Sequence, residues 1–440
     1  MNILDSVKSF FRQGTATLIP AKHTRALDPW AAYQAQFPPV LTATKTDPHA
    51  QDNVVLPIIS EIVNASTAHL LGDGPKIDVL GDGQEAAQEF LAGFLSRSKH
   101  QASLRKAALN GAVIGHVFLK LIVENGVPVR FQALNSAMVN VATDPRDCER
   151  AVSYIVAWES DNPATHRTDK HREVTERIGA GWLITEEIQR SGSGKWEVVE
   201  QTEWPYEWSP VFDAQNLTNP LGYLGLADAS DACVAQNQSI NVVLSLLSRL
   251  LRNHASPKTI LNGLNSRSMD WLTDGAVSLP EGVEVSQLQM GAEGAQGLLD
   301  LYKSLRAEIH SLSRTPEIAS GKIENVGPIS GAALQILYKP LESKTAEKRS
   351  HLGEMIEDMC ERILELAGFA GCTVECVFPN TTPVNVLEQR QTAQADLQMG
   401  VASKETIAKA IGYDWEAEKE QMAGEGTDAG TAILSALDRG

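Results

Sequence analysis

The residues that could do chemistry are present, but their spacing does not fit any familiar reaction. A phosphate-cradling loop needs a glycine upstream of its Gly-Lys pair and a Ser or Thr after it. Gly321-Lys322 lacks both, and Gly194-Lys195 fails in the same way. The chain holds no HExxH, no GxSxG and no CxxC, so zinc hydrolysis, the nucleophile elbow and the dithiol motif are not indicated. Glu186 and Glu187 fall in a strand pattern, where neighbours point to opposite faces and cannot share one site. His69 and His116 are isolated and read as packed or hydrogen-bonded side chains. Cys372 and Cys376 stand four apart with no histidine nearby, so they read as buried thiols and not zinc ligands. With Val374 and Phe378 they alternate along one strand face. The residues point to no catalytic site, no metal and no cofactor.

The totals set wider bounds. In 440 residues, 43% are hydrophobic and 21% charged, a globular composition. The formal net charge of -17 disfavours a chain-wide grip on nucleic acid, which calls for a basic face. An acidic surface past which DNA slides is still allowed. Five cysteines are an odd number, which suits free thiols in a reducing compartment. No apolar run reaches the length of a membrane span.

The elements follow from periodicity. Ile3, Leu4, Val7, Phe10 and Phe11 are helically spaced, with Asp5 and Lys8 between them, so residues 1–14 predict a docking helix and not an export signal. Membrane-surface binding is its alternative. Residues 15–50 read as an extended arm. A helix is expected from Val54 to Gly72 with Pro57 in its first turn, then a strand. Helices are expected at Glu85–Leu95 and Ser103–Val113. Two β-branched runs flank Glu124-Asn125-Gly126, a hairpin signal. SYIVAWES, WLITEEIQR and KWEVVEQTEW read as strands, with residues 160–178 a loop or sheet edge. Trp182, Trp196, Trp204 and Trp208 suit sheet packing.

Further on, a helix is expected over Asp228–His254. Its apolar face is Ile240, Val243, Leu244, Leu247, Leu250 and Leu251. Its other stripe is Gln238, Asn241, Ser245, Ser248 and Arg252, which fits either a wet passage or a half-buried packing face. A strand (SPKTILNG), a short helix (Ser266–Leu272) and a second strand (AVSLPEGVEV) form a small unit. Met269 and Trp271 in its helix are either a local core or an interface. A helix over Ala295–Ser313 leads to a loop, Pro316–Ser330, and then to a helix from Gly331 to Ala367. Pro340 lacks an amide hydrogen and should bend that rod. Leu352, Ile356, Met359, Ile363 and Leu366 make one apolar seam beyond it. Near the C-terminus Ser403 is placed to cap a helix and Glu405 suits its first turn.

Several of these stretches carry a resemblance. TPEIA, a glycine-bearing loop, SGAAL, KPLESK and the charged helix resemble the portal proteins of tailed, siphophage-type bacteriophages. The GAVIGH helix end with its hairpin, WSPVFDAQNLTNPLGYLGLADASDA and GVASKET look like the same family in the same order, over roughly residues 53–423. Residues 1–50 are not recognisable, and the chain is short for the family. The resemblance implies an α+β portal fold. Its parts would be an N-terminal arm (1–52), a wing (53–220), a stem helix (221–254) and a β-α-β clip (255–290). A second stem helix (291–315), a channel loop (316–330), a long kinked helix (331–372) and a C-terminal wing strand with helical crown (373–440) would complete it.

It also implies a role that is structural and not enzymatic. Twelve chains would form a ring at one vertex of the head, through which double-stranded DNA is packaged and ejected. The channel loop would present Lys322, Glu324, Asn325 and Val326, and Pro340 would mark the kink. The polar stem stripe would line the channel, and Arg267, Met269 and Trp271 of the clip would dock partners. Those partners would be the large terminase subunit, a head-completion adaptor, and the capsid and scaffold proteins, with no membrane. The location would be the virion, after assembly in the host cytoplasm. The alternatives are a membrane-associated scaffold and an enzyme with an unrecognised site.

Overall fold

In the computed structural model the described residues are 28–41, 53–81, 84–163, 166–255, 258–262, 284–288, 292–321, 331–381, 386–413 and 415–422. The chain divides into two units, residues 1–322 with 340–381 and residues 323–339 with 382–440.

In the first unit, α1 (Pro29–Tyr33) starts on Asp28, whose carboxylate accepts the amides of Trp30 and Ala31. Helix α2 (Ile58–Leu71) begins later than the expected Val54, and Pro57 precedes its first turn instead of lying in it. The cause is local. The amides of Val54 and Leu56 are bonded to side chains elsewhere, and a proline disfavours helical backbone in the residue before it. Strand β1 (Lys76–Leu80) and helices α3 (Glu85–Arg97) and α4 (His100–Ile114) follow. Strands β2 (His116–Glu124) and β3 (Val127–Ala133) close on Asn125 and Gly126, at φ 52° and 78°. Two successive left-handed residues are what a tight two-residue hairpin turn demands.

Strands β4 (Val139–Asp144), β5 (Asp147–Asn162), β6 (Arg167–Ile178), β7 (Gly181–Gln189) and β8 (Glu197–Trp204) form an antiparallel sheet in chain order. Residues 167–178, expected as loop or edge, are its middle strand. Its charges are paired, Arg172 with Glu187 on the neighbouring β7 and Glu173 with Lys120 on β2 of the three-stranded sheet, so a charged run is compatible with a central strand. Strand β9 (Val211–Gln215) joins the hairpin in the order β3-β2-β9.

Helix α5 (Asp231–Ala255), strands β10 (Lys258–Asn262) and β11 (Glu284–Leu288) and helix α6 (Ala292–Leu312) come next. β10 and β11 pair antiparallel. The expected clip helix, with Arg267, Met269 and Trp271, lies outside the described residues. So do Lys322, Glu324, Asn325 and Val326 of the loop. A short 3-10 turn, Glu317–Ser320, ends on Gly321 at φ 80°. Helix α7 (Gly331–Leu366) is helical on both sides of Pro340. Strand β12 (Thr373–Val377) pairs antiparallel with β1.

That ribbon is bonded along both outer edges. On one side the Val79 amide donates to Gln88 Oε1 at 2.6 Å, and Gln88 Nε2 donates to the Ile77 carbonyl at 3.3 Å. On the other, the amides of Val374 and Cys376 donate to Glu361 and Glu357 of α7, at 3.1 and 2.8 Å.

In the second unit, α8 (Val386–Gln398) is followed by α9 (Lys404–Ile411). Ser403 caps α9 by accepting the Thr406 amide, as expected. Residues 415–422 are helical.

Three apolar clusters hold the first unit. The α7 seam buries Leu352, Ile356, Met359 and Ile363 against Leu91, Phe94, Leu119 and Phe131. Ile58 and Ile62 of α2 meet Cys233, Ile240 and Ile309 of α5 and α6. Trp182 and Trp204 pack with Phe118, Tyr154 and Val211, the sheet packing expected of them. All five cysteines are free.

Candidate functional site: a buried polar joint

The apolar seam of α7 does not stop at Leu352. Stepping back by fours and threes, it continues through Lys348, Thr345, Lys344 and Leu341, all buried. Two lysines therefore sit where the helix faces inward, and their ammonium groups must find partners. The Asp228 carboxylate, just before α5, supplies the countercharge. Lys348 Nζ lies 2.8 and 3.1 Å from its two oxygens, and Lys344 Nζ lies 3.5 Å from Oδ1. Asn216 Nδ2 donates to the same carboxylate at 3.0 Å. Lys348 also donates to Ser66 Oγ of α2 at 3.3 Å. Lys344 donates to the Ser313 carbonyl at 3.0 Å and to Thr315 Oγ1 at 3.4 Å.

Thr315 and Glu317 open the TPEIA motif, and Lys344 closes KPLESK. The two motifs meet here. Glu317 pairs with Arg306 of α6, whose guanidinium also reaches Glu61 of α2 at 3.1 Å. His310 Nδ1 lies 2.9 Å from the Thr315 carbonyl. That oxygen can only accept, so the Nδ1 proton is fixed. Burial lowers the His310 pKa, which keeps the ring neutral at pH 7. The segment leading into residues 322–330 is thus tied to α2, α6, α7 and the start of α5.

The charges do not balance, with two ammonium groups facing one carboxylate. Burial raises the Asp228 carboxyl, but the two lysines and the bonds from Lys348 and Asn216 outweigh it and hold it well below the usual range. Burial outweighs Asp228 for Lys344 and pulls it down to about 8 from 10.5. Between those values the unfolded side chain keeps a proton that the folded one has lost. Stability should therefore rise with pH across this window relative to Lys344→Met, by ~3 kcal/mol in full. Denaturant midpoints of both proteins from pH 7 to 10.5 measure it. A flat difference would mean that Lys344 stays charged in the fold.

The stem stripe behaves differently from a channel lining at two positions. Asn241 and Ser245 are fully buried. Asn241 Oδ1 accepts the Leu56 amide and Ser245 Oγ the Val54 amide, both at 3.0 Å. Asn237 Nδ2 donates to the Leu56 carbonyl at 3.1 Å. For Asn241 and Ser245 the packing-face alternative holds, because they splint the extended chain ahead of α2. Gln238 and Ser248 are partly buried and Arg252 is exposed.

His69 and His116 are hydrogen-bonded, as expected, to Thr345 at 3.0 Å and Asp213 at 2.8 Å. Among the described residues, no three His, Cys, Asp or Glu side chains gather as metal ligands. No described helix is long and apolar enough to cross a membrane.

Comparison with known proteins bears on this joint. Residues 272–431 match the family described as "Phage portal protein, SPP1 Gp6-like". The match contains TPEIA, SGAAL, KPLESK and GVASKET, so the resemblance to tailed-phage portal proteins is borne out over this stretch. No curated protein sequence matches the chain. Among solved structures, one described as "Neck of empty GTA particle computed with C6 symmetry" is similar at a TM-score of 0.48 and 13% identity, covering 86% of this chain and 96% of that one. Another, "Virion of native gene transfer agent (GTA) particle", is similar at 0.47 and 12%, covering 88% and 99%.

Proposed function

We propose that this chain is the subunit of a portal ring, a structural channel at one vertex of a phage-like particle. The observation that carries this reading is the family match over residues 272–431, whose motif residues meet in the buried joint that anchors residues 316–321. A second feature supports a ring. The stem helices α5 and α6 leave Leu246, Leu251, Leu301 and Leu312 exposed on the single chain, a surface that neighbouring subunits would cover. A head-to-tail interface that closes on itself makes a ring. Twelve copies is the expected number. Purified protein examined by light scattering and electron microscopy should form closed rings with a central hole. A stable monomer at assembly concentrations would contradict the reading.

In this function residues 322–330 form the constriction and Pro340 sets the course of the following helix. The clip residues Arg267, Met269 and Trp271 face the terminase and adaptor. DNA passes without being held, since Lys322 and Glu324 nearly cancel in each copy. A single ion pair in water contributes only ~1 kcal/mol and is screened by salt. Lys322→Ala should therefore change the packaged DNA length little, while deleting Lys322–Val326 should impair packaging and retention. Gel sizing of DNA from particles built with each variant decides the matter. Normal packaging with the deletion would remove the loop from the constriction.

A further inference from the structure

Helices α3 and α4 meet at a tight corner, Ser98 and Lys99. Its charge is unlike that of the chain around it. Of 440 residues 55 are acidic, yet none of residues 90–123 is Asp or Glu. Within this stretch Arg97, Lys99, Arg105 and Lys106 are all exposed. None of the four has an ion-pair partner among the described residues. Asp73 lines the same hollow as Arg105 and forms no ion pair with it. Lys99 and Lys106 are two helical turns apart on one face of α4, about 10 Å along its axis.

The backbone singles out one of these cations. Lys99 has φ 49° and ψ 48°, in the left-handed region where a side chain is strained. Glycine is the usual residue just past a helix end in that conformation. A lysine stands here at a cost to stability, and no hydrogen bond or ion pair of its side chain among the described residues explains it. Strain of this kind gathers at functional positions. Helix α4 also starts at Lys99 without a side-chain cap, so its first amides add positive partial charge to the corner.

What the corner lacks narrows the partner. No large apolar side chain of α3 or α4 is exposed, whereas a protein interface has an apolar centre. Contacts to nucleic-acid phosphates are polar and strongly positive, and use Arg, Lys, Ser and Gln side chains and helix starts. Ser96 and Gln101 are exposed among the four cations. We infer that the α3–α4 corner holds the phosphate backbone of a nucleic acid, without regard to sequence, through Arg97, Lys99, Arg105 and Lys106. This contact is distinct from the one proposed at residues 322–330. It rests on the charge of the corner and not on the ring.

The test is fluorescence anisotropy of the full chain with a labelled random-sequence DNA duplex, from about 50 to 200 mM salt. The logarithm of the affinity should fall against the logarithm of salt with a slope of roughly -3 to -4, about 0.9 for each phosphate neutralised. Lys106→Gln should reduce that slope by about 1. The triple variant Lys99→Gly, Arg105→Gln, Lys106→Gln should reduce it to about -1 and weaken binding at 0.1 M salt roughly a hundredfold. Arg146→Gln with Lys195→Gln, exposed cations on turns of the five-stranded sheet, should change neither. Lys99→Gly alone should melt at or above the wild-type temperature, since it relieves strain, so weaker binding would not reflect unfolding. A duplex of RNA run in parallel shows which nucleic acid is preferred. No binding at the lowest salt, or a slope that the triple variant leaves unchanged, would overturn the proposal. Equally tight binding of a polyglutamate peptide would do the same and point to an acidic protein instead. Light scattering on the same samples reads ring formation separately, so either reading can fail without the other.

Discussion

Asp228→Asn is expected to destabilise the protein by ~3–5 kcal/mol, the loss typical of a buried ion pair robbed of one partner. The substitution keeps the shape and the bond to Asn216 but removes the only carboxylate that Lys344 and Lys348 meet among the described residues. Both ammonium groups are almost wholly shielded from water, at 1% and 2% side-chain exposure, so solvent cannot replace it. Denaturant unfolding followed by circular dichroism measures the loss. The triple variant Asp228→Leu, Lys344→Met, Lys348→Met should recover much of it, because apolar groups of similar size replace buried ion pairs at little loss. A loss under ~1 kcal/mol for Asp228→Asn would show that the joint is held by packing and not by charge.

Gly115→Ala should be comparably harmful, at roughly 3–5 kcal/mol from backbone strain and overpacking together. Gly115 ends α4 at φ 108°. A Cβ there would lie 2.5 Å from the Gly225 carbonyl oxygen and 3.0 Å from the Ala227 amide nitrogen. These are backbone atoms, which cannot swing aside like a side chain. The contact is reciprocal, since a Cβ on Gly225 would lie 2.5 Å from the Gly115 oxygen and 2.7 Å from that of Leu217. The two glycines let the end of α4 touch the strap that leads to Asp228. Gly225→Ala should therefore also destabilise, and the double variant should lose less than the two single losses added, because both act on one contact. Thermal melts of the three proteins test this. A Gly115→Ala protein that melts with the wild type would mean that the strap moves freely.

The sequence made the helices and the hairpin legible because those signals are local. Asn125-Gly126 and the Leu352–Ile363 seam depend on neighbours a few residues away. The joint was harder to see, because its partners are distant in the chain. Lys348 and Asp228 are 120 residues apart, and Ser66 is 282 from Lys348. One signal was available, since Lys344 and Lys348 fall on the backward extension of the seam. A lysine on an inward stripe implies a buried acid, though not which one. The stem stripe was ambiguous for a different reason. Asn and Ser satisfy either water or a neighbouring backbone, so residue type alone left Asn241 and Ser245 open. Strand β6 was misplaced because a charged run reads as solvent-facing, whereas its charges meet Glu187 on the adjoining β7 and Lys120 on β2 of the other sheet.

The ribbon of β1 and β12 offers no free edge to another strand. Strand edges with free amides and carbonyls recruit further strands, whether from a proper neighbour or from a misfolded one. Gln88 occupies one edge of this ribbon, and Glu357 and Glu361 occupy the other. An incoming strand would have to displace an amide on one side and two carboxylates on the other. The ribbon is therefore closed to strand exchange. In the five-stranded sheet the outer strands are β4 and β8. Val198 and Val199 on β8 are left exposed there, in a strand whose own last neighbour is β7.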